Sequence, residues 1–383
     1  MIKRFKVLGL NEKIDFDLSF NEDLNILTGK NGSGKTTILK LLWYLISGNL
    51  ERILPEIQFR TVELETDEIH LSINIKEVSK GKIARFELTI DGKKSFDEFN
   101  LELYETSKYI AQFNELNNKV ISSSNSSIFF PTFRRIEGGF TTYEQRFSRV
   151  SRYNRPMSGL QEAMLDLSRT VSVGRHRFVA SISTHDIVEL LTQRYAETSE
   201  HTNALHLNLS TFITAQIEKY SARKKSSKAN ELQDAISVLD SIQKRVNHVS
   251  QRREELLRPF SVLSKLIEKV FQYQGIDVTE GITLGEAKEA ISSEKLSAGE
   301  KQMLSFLCYN AFTSRSIIFI DEPELSLHVD WQRLLFPTLL GQGTNNQFIV
   351  ATHSPFIYSK YPDKELVLDE DKGDTNASTS PNN

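Results

Sequence analysis

Residues 24–39 read LNILTGKNGSGKTTIL. Leu24–Thr28 is an apolar run of strand length. Glycines then recur at 29, 32 and 34, and the stretch TILKLLWYLIS (37–47) continues as a buried helix closed by Gly48-Asn49. Gly29–Thr36 fits the pattern G-x-x-x-x-G-K-[ST] at every fixed position. Without a Cβ, the three glycines let the backbone bend close to an anion, and successive N–H groups form a nest around it. The helix that follows adds the positive end of its dipole. Strand, glycine loop and helix in that order predict a seat for the phosphates of ATP. The expected contacts are Gly29, Asn31, Gly32, Ser33, Gly34, Lys35, Thr36 and Thr37. Lys35 reaches the β- and γ-phosphates, and the Thr36 hydroxyl faces Mg²⁺.

A phosphate seat of this type needs an acidic partner at the end of a neighbouring strand. SIIFIDEPE supplies one. Asp321 is the expected Mg²⁺ ligand, and Glu322 is placed to orient and activate the attacking water. An acidic pair closing an apolar strand says little alone, because solubility also favours it. Beside the glycine loop it completes a hydrolytic site.

The whole chain agrees with a cytoplasmic globular enzyme. Its 383 residues are 39% apolar and 25% charged, with a formal net charge of -3, so no global charge draws it to nucleic acid. The single cysteine, Cys308, rules out an internal disulfide and a multi-cysteine metal site, and reads as a small buried apolar residue. The N-terminus MIKRFKVLGLNEKIDF is broken by charges, unlike a signal peptide, and no run approaches the roughly 20 apolar residues of a membrane span.

Strands are expected at 2–9, 14–19 and 24–28. VELETD, EIHLSINIKEV and KIARFELTIDGKK should form an antiparallel meander beside them. The segment 111–127 is polar and carries no assignment to helix or strand. SSIFFPTFRR (126–135) reads as a strand that leaves the core at Pro131, and 141–175 as an exposed loop region. From about His185 the pattern turns helical. Leu232, Ala235, Leu239, Ile242, Val246, Val249 and Leu256 fall on alternating steps of three and four, with Arg253 as the polar intruder. That is a coiled-coil seam. Leu205, Leu209, Phe212, Ile213, Ile217 and Tyr220 supply its antiparallel partner across SARKKSSKAN, and a helix over 231–257 would be roughly 40 Å long. The basic tip, with Arg223, Lys224, Lys225 and Lys228, is a solvated end or a contact for phosphate backbone or a partner. The expected domains are an N-terminal lobe (1–184), a helical insertion (185–275), a C-terminal lobe (276–365) and a disordered tail (366–383).

Two further motifs carry a family resemblance. LSAGEKQ (296–302) opens a helix before Asp321, and ATHSP (351–355) closes the strand after it. In this order they resemble the signature motif and switch histidine of ATP-binding-cassette (ABC) ATPases. The resemblance implies an α/β ABC head, in which a mixed sheet with a P-loop core and an antiparallel β meander carries an inserted helical arm. It implies that Ser297, Gly299 and Glu300 meet the γ-phosphate of an ATP held by a second copy, while His353 contacts it from the first. ATP would then join a head-to-tail homodimer or a higher homo-oligomer.

More narrowly, DEPELSLHVDWQ followed by ATHSPFI is similar to ATPases of the overcoming-lysogenization-defect, RecF and Rad50 branch, much used in bacterial anti-phage defence. Glu324–His328 occupy the D-loop of that branch, with Ser326 and His328 at the dimer seam. The usual Mg²⁺-binding glutamine has no clear counterpart. Gln112 is one candidate, and Arg134 or Arg135 of PTFRR could face nucleotide or a partner instead. The arm has no C-x-x-C, which excludes a zinc hook, and no acidic Toprim cassette follows THSP. A destructive activity would therefore reside on a separate effector nuclease. It would be of Toprim type as in PARIS-like systems, which the chain's size and missing nuclease suit better, or, as the alternative, of HNH type as in Septu and retron-linked ones. DNA or a phage protein would be the trigger. The alternative is a RecF-like, ATP-dependent DNA clamp; a transporter subunit fits poorly, since such subunits lack a long helical insertion before the signature.

Overall fold

A computed structural model describes residues 1–12, 14–78, 81–100, 107–132, 159–180, 184–222, 228–271 and 297–368. Leu296, Arg134, Arg135, the tip residues 223–225 and the segment 369–383 lie outside the described residues. The described chain forms two compact units, one of residues 1–182, 298–303 and 313–383, the other of 183–297 and 304–312.

The first unit contains two six-stranded sheets. One is antiparallel, in the order β2-β1-β4-β5-β6-β7, from Ile2–Leu10 (β1), Ile14–Ser19 (β2), Thr61–Thr66 (β4), Ile69–Val78 (β5), Gly81–Ile90 (β6) and Lys93–Asn100 (β7). Its strands alternate: Val62 and Leu64, or Ala84, Phe86 and Leu88, point into the core while their neighbours are partly or fully exposed. The meander has one strand more than expected, because the chain turns after Ile90 at the end of KIARFELTIDGKK and runs back as Lys93–Asn100. Asp91 and Gly92 both have positive φ, 49° and 74°, as a tight two-residue turn requires.

The other sheet is parallel throughout. Its order is β12-β3-β11-β10-β8-β9, from Leu24–Thr28 (β3), Ser127–Phe130 (β8), His176–Phe178 (β9), Ile317–Asp321 (β10), Gln347–Ala351 (β11) and Glu365–Val367 (β12). Strands β3, β8, β10 and β11 are buried along their whole length, which is why they read as nearly continuous apolar runs. Leu366 to Leu368 belong to this fold and not to a disordered tail, since β12 pairs with β3 and Leu368 is buried.

Helix α1 (Lys35–Ser47) follows the glycine loop, with ten of its thirteen residues buried. Apolar side chains on every face mark a helix enclosed by protein. Trp43 packs 5.7 Å from Phe129 and 5.5 Å from Phe178, centroid to centroid. Two segments read as polar or loop prove helical. Helix α3 (Ser107–Ser123) presents Phe113, Leu116 and Val120 to the core at helical spacing, while its other side chains hide the pattern. Asn117 accepts from the N–H of Leu50 (3.3 Å) and donates to Glu51 (2.8 Å), docking α3 on α2 (Leu50–Glu56). Helix α4 (Gly159–Val171) lies within 141–175, and its last residue, Val171, is buried.

His176 sits at the edge of the parallel sheet, fully buried, with Nδ1 2.8 Å from Ser127 Oγ and Nε2 without a partner. Burial, and secondarily Arg175, lowers its pKa to about 4. An unfolded histidine titrates near 6.5. Between these values the unfolded chain takes up a proton that the folded chain refuses, so stability falls as pH drops from 6.5 toward 4 and is complete above 6.5. Acidification from pH 7 to pH 5 should cost about 2 kcal/mol through this group, an order-of-magnitude figure. Urea melts at both pH values should show a smaller loss for His176→Asn; equal losses would refute the assignment.

In the second unit, α5 (Thr184–Ala222, 39 residues) and α6 (Lys228–Phe271, 44 residues) pack against one another. They are about 58 and 66 Å long at 1.5 Å per residue, so α6 outruns the expected 231–257. It continues past Pro259 because Leu263 and Ile267 still have apolar surface to bury. Phe260 meets Tyr195 edge-on at 5.9 Å and Phe312 at 4.8 Å. The expected seam is only partly used. Val249 is buried, but Leu232 and Leu239 are 70% and 65% exposed and share an outer face with Ile236. Cys308 is fully buried, which raises its thiol pKa and makes it inert.

Candidate functional site

Neighbouring parallel strands end level with one another. Leu27 pairs with Ala351, Ala351 with Asp321, and Ile320 with Phe130. The segments leaving β3, β11, β10 and β8 therefore emerge along one edge, the carboxyl end where open α/β sheets bind ligands. They are the glycine loop, the THSP segment, the DEPE turn and Pro131-Thr132.

Gly29, Gly32 and Gly34 have φ of 145°, 84° and 91°. Gly34 caps α1 in the left-handed region, so a side chain there would be strained whatever space it had. Asn31 and Gly32 are exposed at the crest of the loop, Ser33 is buried with an unpartnered Oγ, and Thr36 and Thr37 are half-buried. Lys35 is buried, and its Nζ donates to the carbonyls of Gly29 (3.0 Å) and Lys30 (2.9 Å). Burial lowers its pKa, partly offset by the charges of Glu322, Asp321 and Glu324. A phosphate offers this ammonium a better partner than two carbonyls.

Asp321 closes β10 and is 3% exposed. Thr36 Oγ1 donates to Oδ1 at 3.0 Å and Thr132 Oγ1 to Oδ2 at 2.5 Å. Burial raises the Asp321 pKa, and the two hydroxyls work against that shift. The donors gathered here are hard oxygens, a carboxylate and hydroxyls, which suit Mg²⁺. Among the described residues no cluster of three or more His, Cys, Asp or Glu could cage a metal. A Mg²⁺ ion here would be shared between the protein and substrate phosphates. Thr36 and Asp321 would hold it, and it would supply charge neutralisation beside the phosphates.

Thr132 is the site residue that sequence reasoning missed. It stands where a strand-ending glutamine was sought, and a hydroxyl two residues after an apolar strand was its only signal. Gln112 does not fill that place, because it lies within α3 and not at a strand end.

Glu322 begins the 3₁₀ turn Pro323–Leu325 with φ 48° and ψ 58°, an uncommon conformation for a residue with a side chain, and its N–H is fastened to the Ala351 carbonyl at 2.8 Å. His353 is exposed, and its N–H donates to Glu324 Oε1 at 2.6 Å. The signature residues meet the segment after the turn. A Cβ on Gly299 would come 2.4 Å from the Ser326 carbonyl, so glycine is required there by packing alone. Gln302 donates to the Pro323 carbonyl (3.3 Å), Glu300 is buried, and Ser297 is exposed just before the helix Ala298–Ala311. His328 caps the helix Val329–Gly341.

A phosphate loop and an acidic strand end, joined by a hydroxyl-to-carboxylate bond across one sheet edge, define the P-loop class of nucleotide hydrolases. The chain belongs to the AAA ATPase domain family, which matches it over residues 1–358, and it is an ATPase by that membership. It is 25% identical to the retron Vc95 probable ATPase of Vibrio cholerae serotype O1 biovar El Tor, over 91% of this chain and 69% of that one. It is also 25% identical to the retron Ec83 probable ATPase of Escherichia coli, over 90% and 66% respectively, so it spans about two thirds of these relatives' length. RecF of Clostridium acetobutylicum is 27% identical over 26% of this chain and 27% of its own. Among solved structures, the Smc head domain of Pyrococcus furiosus with an extended coiled coil, bound to the C-terminal domain of ScpA, aligns over 94% of this chain and 91% of that one. The TM-score is 0.36, at 14% identity.

Proposed function

We propose that the chain is a Mg²⁺-dependent ATPase of ABC type that closes as a head-to-tail homodimer, or a higher oligomer of such dimers, around ATP. Its nucleotide state controls a separate effector nuclease in bacterial anti-phage defence. The observation that carries the hydrolytic part is the convergence of Lys35, Thr36, Asp321, Glu322 and His353 on one sheet edge. Gly29, Asn31, Gly32, Ser33, Gly34 and Thr37 complete the cradle. Lys35 leaves its carbonyls for the β- and γ-phosphates. Glu322 accepts the proton of the attacking water, and His353 donates a hydrogen bond to the γ-phosphate.

Ser297, Gly299 and Glu300 serve the partner's ATP. Support comes from Gly299, which sits at the start of its helix against the Ser326 carbonyl of the D-loop. The defence role is supported by the similarity to retron ATPases over most of the chain, and the effector is proposed to be of Toprim or HNH type. DNA or a phage protein is the proposed trigger. Among the described residues no helix is long and apolar enough to cross a membrane, and the proposed location is the cytoplasm. The RecF-like clamp has less behind it, since the RecF similarity is confined to about a quarter of the chain.

Light scattering tests the assembly. A non-hydrolysing Glu322→Gln chain with saturating Mg·ATP should weigh twice the 43.8 kDa of one copy. A species of single mass alone would sink the composite site.

A further inference from the structure

We propose that Glu324 is a positioning residue for ATP hydrolysis: its carboxylate fixes the backbone of His353 to the turn that begins at Glu322. The inference rests on the roles given above to Glu322 and His353. Three rungs join the two segments. Glu322 N–H donates to the Ala351 carbonyl (2.8 Å), His353 N–H to Glu324 Oε1 (2.6 Å), and Ser354 Oγ to Gln332 Oε1 (2.6 Å). The outer two rungs use a strand-end backbone pair and a buried glutamine that also holds the turn, donating to the carbonyls of Leu327 (2.8 Å) and Glu324 (3.3 Å). The middle rung alone depends on a side chain of the turn reaching the histidine's own peptide.

Glu324 is costly to keep there for packing alone. Its second oxygen, Oε2, is buried with no hydrogen-bond partner. A carboxylate left half satisfied in that way destabilises the fold unless its other contact is useful. The useful contact is a charge-assisted bond to the one peptide that sets where the His353 ring starts. Because Glu322 and Glu324 share one 3₁₀ turn, the proton acceptor and the histidine are registered to each other before substrate arrives. Pre-set geometry of this kind lowers the barrier without changing how tightly substrate binds.

The proposal predicts a kcat effect. Glu324→Ala should lose about 10- to 100-fold in kcat, the scale of a small misplacement, with KM for ATP changed less than about 2-fold. Glu324→Gln keeps an acceptor at the same reach and should restore kcat to within about 2-fold, whereas Glu324→Asp keeps the charge but falls short of the peptide and should remain slow. In a His353→Ala background, adding Glu324→Ala should cost nothing more. Melting temperatures identify any variant that is merely unfolded, and the Gln and Asp pair, of nearly equal bulk, decides the question if the Ala variant is. An undiminished Glu324→Ala loss in the His353→Ala background, or parental kcat in Glu324→Ala beside a slow His353→Ala, overturns the proposal. Parental kcat in His353→Ala instead removes the role assigned to the histidine, and with it anything for Glu324 to position.

Discussion

Glu322→Gln is expected to bind ATP as the parental chain does while kcat falls by about 100- to 10,000-fold, the range for loss of a general base. The backbone at this position is held by its bond to Ala351 and by the turn it opens, so the amide should occupy the place of the carboxylate. What it cannot do is accept a proton. Charge also changes: one of the three carboxylates whose field reaches Lys35 disappears, which should make the site slightly more welcoming to a polyanion. Unchanged or tighter ATP binding with no turnover is therefore the expected pair of results, from calorimetry and phosphate release. Turnover at the parental rate would show that another group takes the proton.

Lys35→Ala should fail differently. Its ammonium forms charge-assisted bonds with phosphate, worth about 1.5–3 kcal/mol apiece, so ATP affinity should fall by about 10- to 100-fold or more. The free protein tells the more unusual half. Lys35 is buried, its pKa is lowered chiefly by that burial, and its partners there are two carbonyls. Removing a cation so placed should leave the melting temperature of the nucleotide-free chain close to parental while sharply reducing the rise that a given ATP concentration produces. A large drop in the nucleotide-free melting temperature would mean that the lysine is structural first.

These residues were legible because their chemistry is local. A glycine loop must be glycine for backbone reasons, and an acid that ends a buried strand must meet something that compensates its charge. Hydroxyls carry no such signature. Thr132 is one threonine among many until the parallel pairing of β8 with β10 brings it to Asp321. The same applies to Glu324, whose partner is a peptide 29 residues away in the chain. Helix α3 was obscured by its asparagines and serines, since three buried apolar side chains and Asn117 suffice to dock it. On the arm the periodicity predicted helices correctly but placed Leu232 and Leu239 inward. The apolar stripe of α6 is wider than one neighbouring helix can cover.

The order of strands also bears on how the molecule is made. Leu24–Thr28 leaves the ribosome more than three hundred residues before both of its neighbours, Gln347–Ala351 and Glu365–Val367. The antiparallel sheet, whose strands all precede residue 101, can close while synthesis continues. The strand that leads into the glycine loop must wait with both edges bare, and such distant pairings are slow to form. A nascent or truncated chain ending before Gln347 would carry every residue of the glycine loop and still hold no nucleotide.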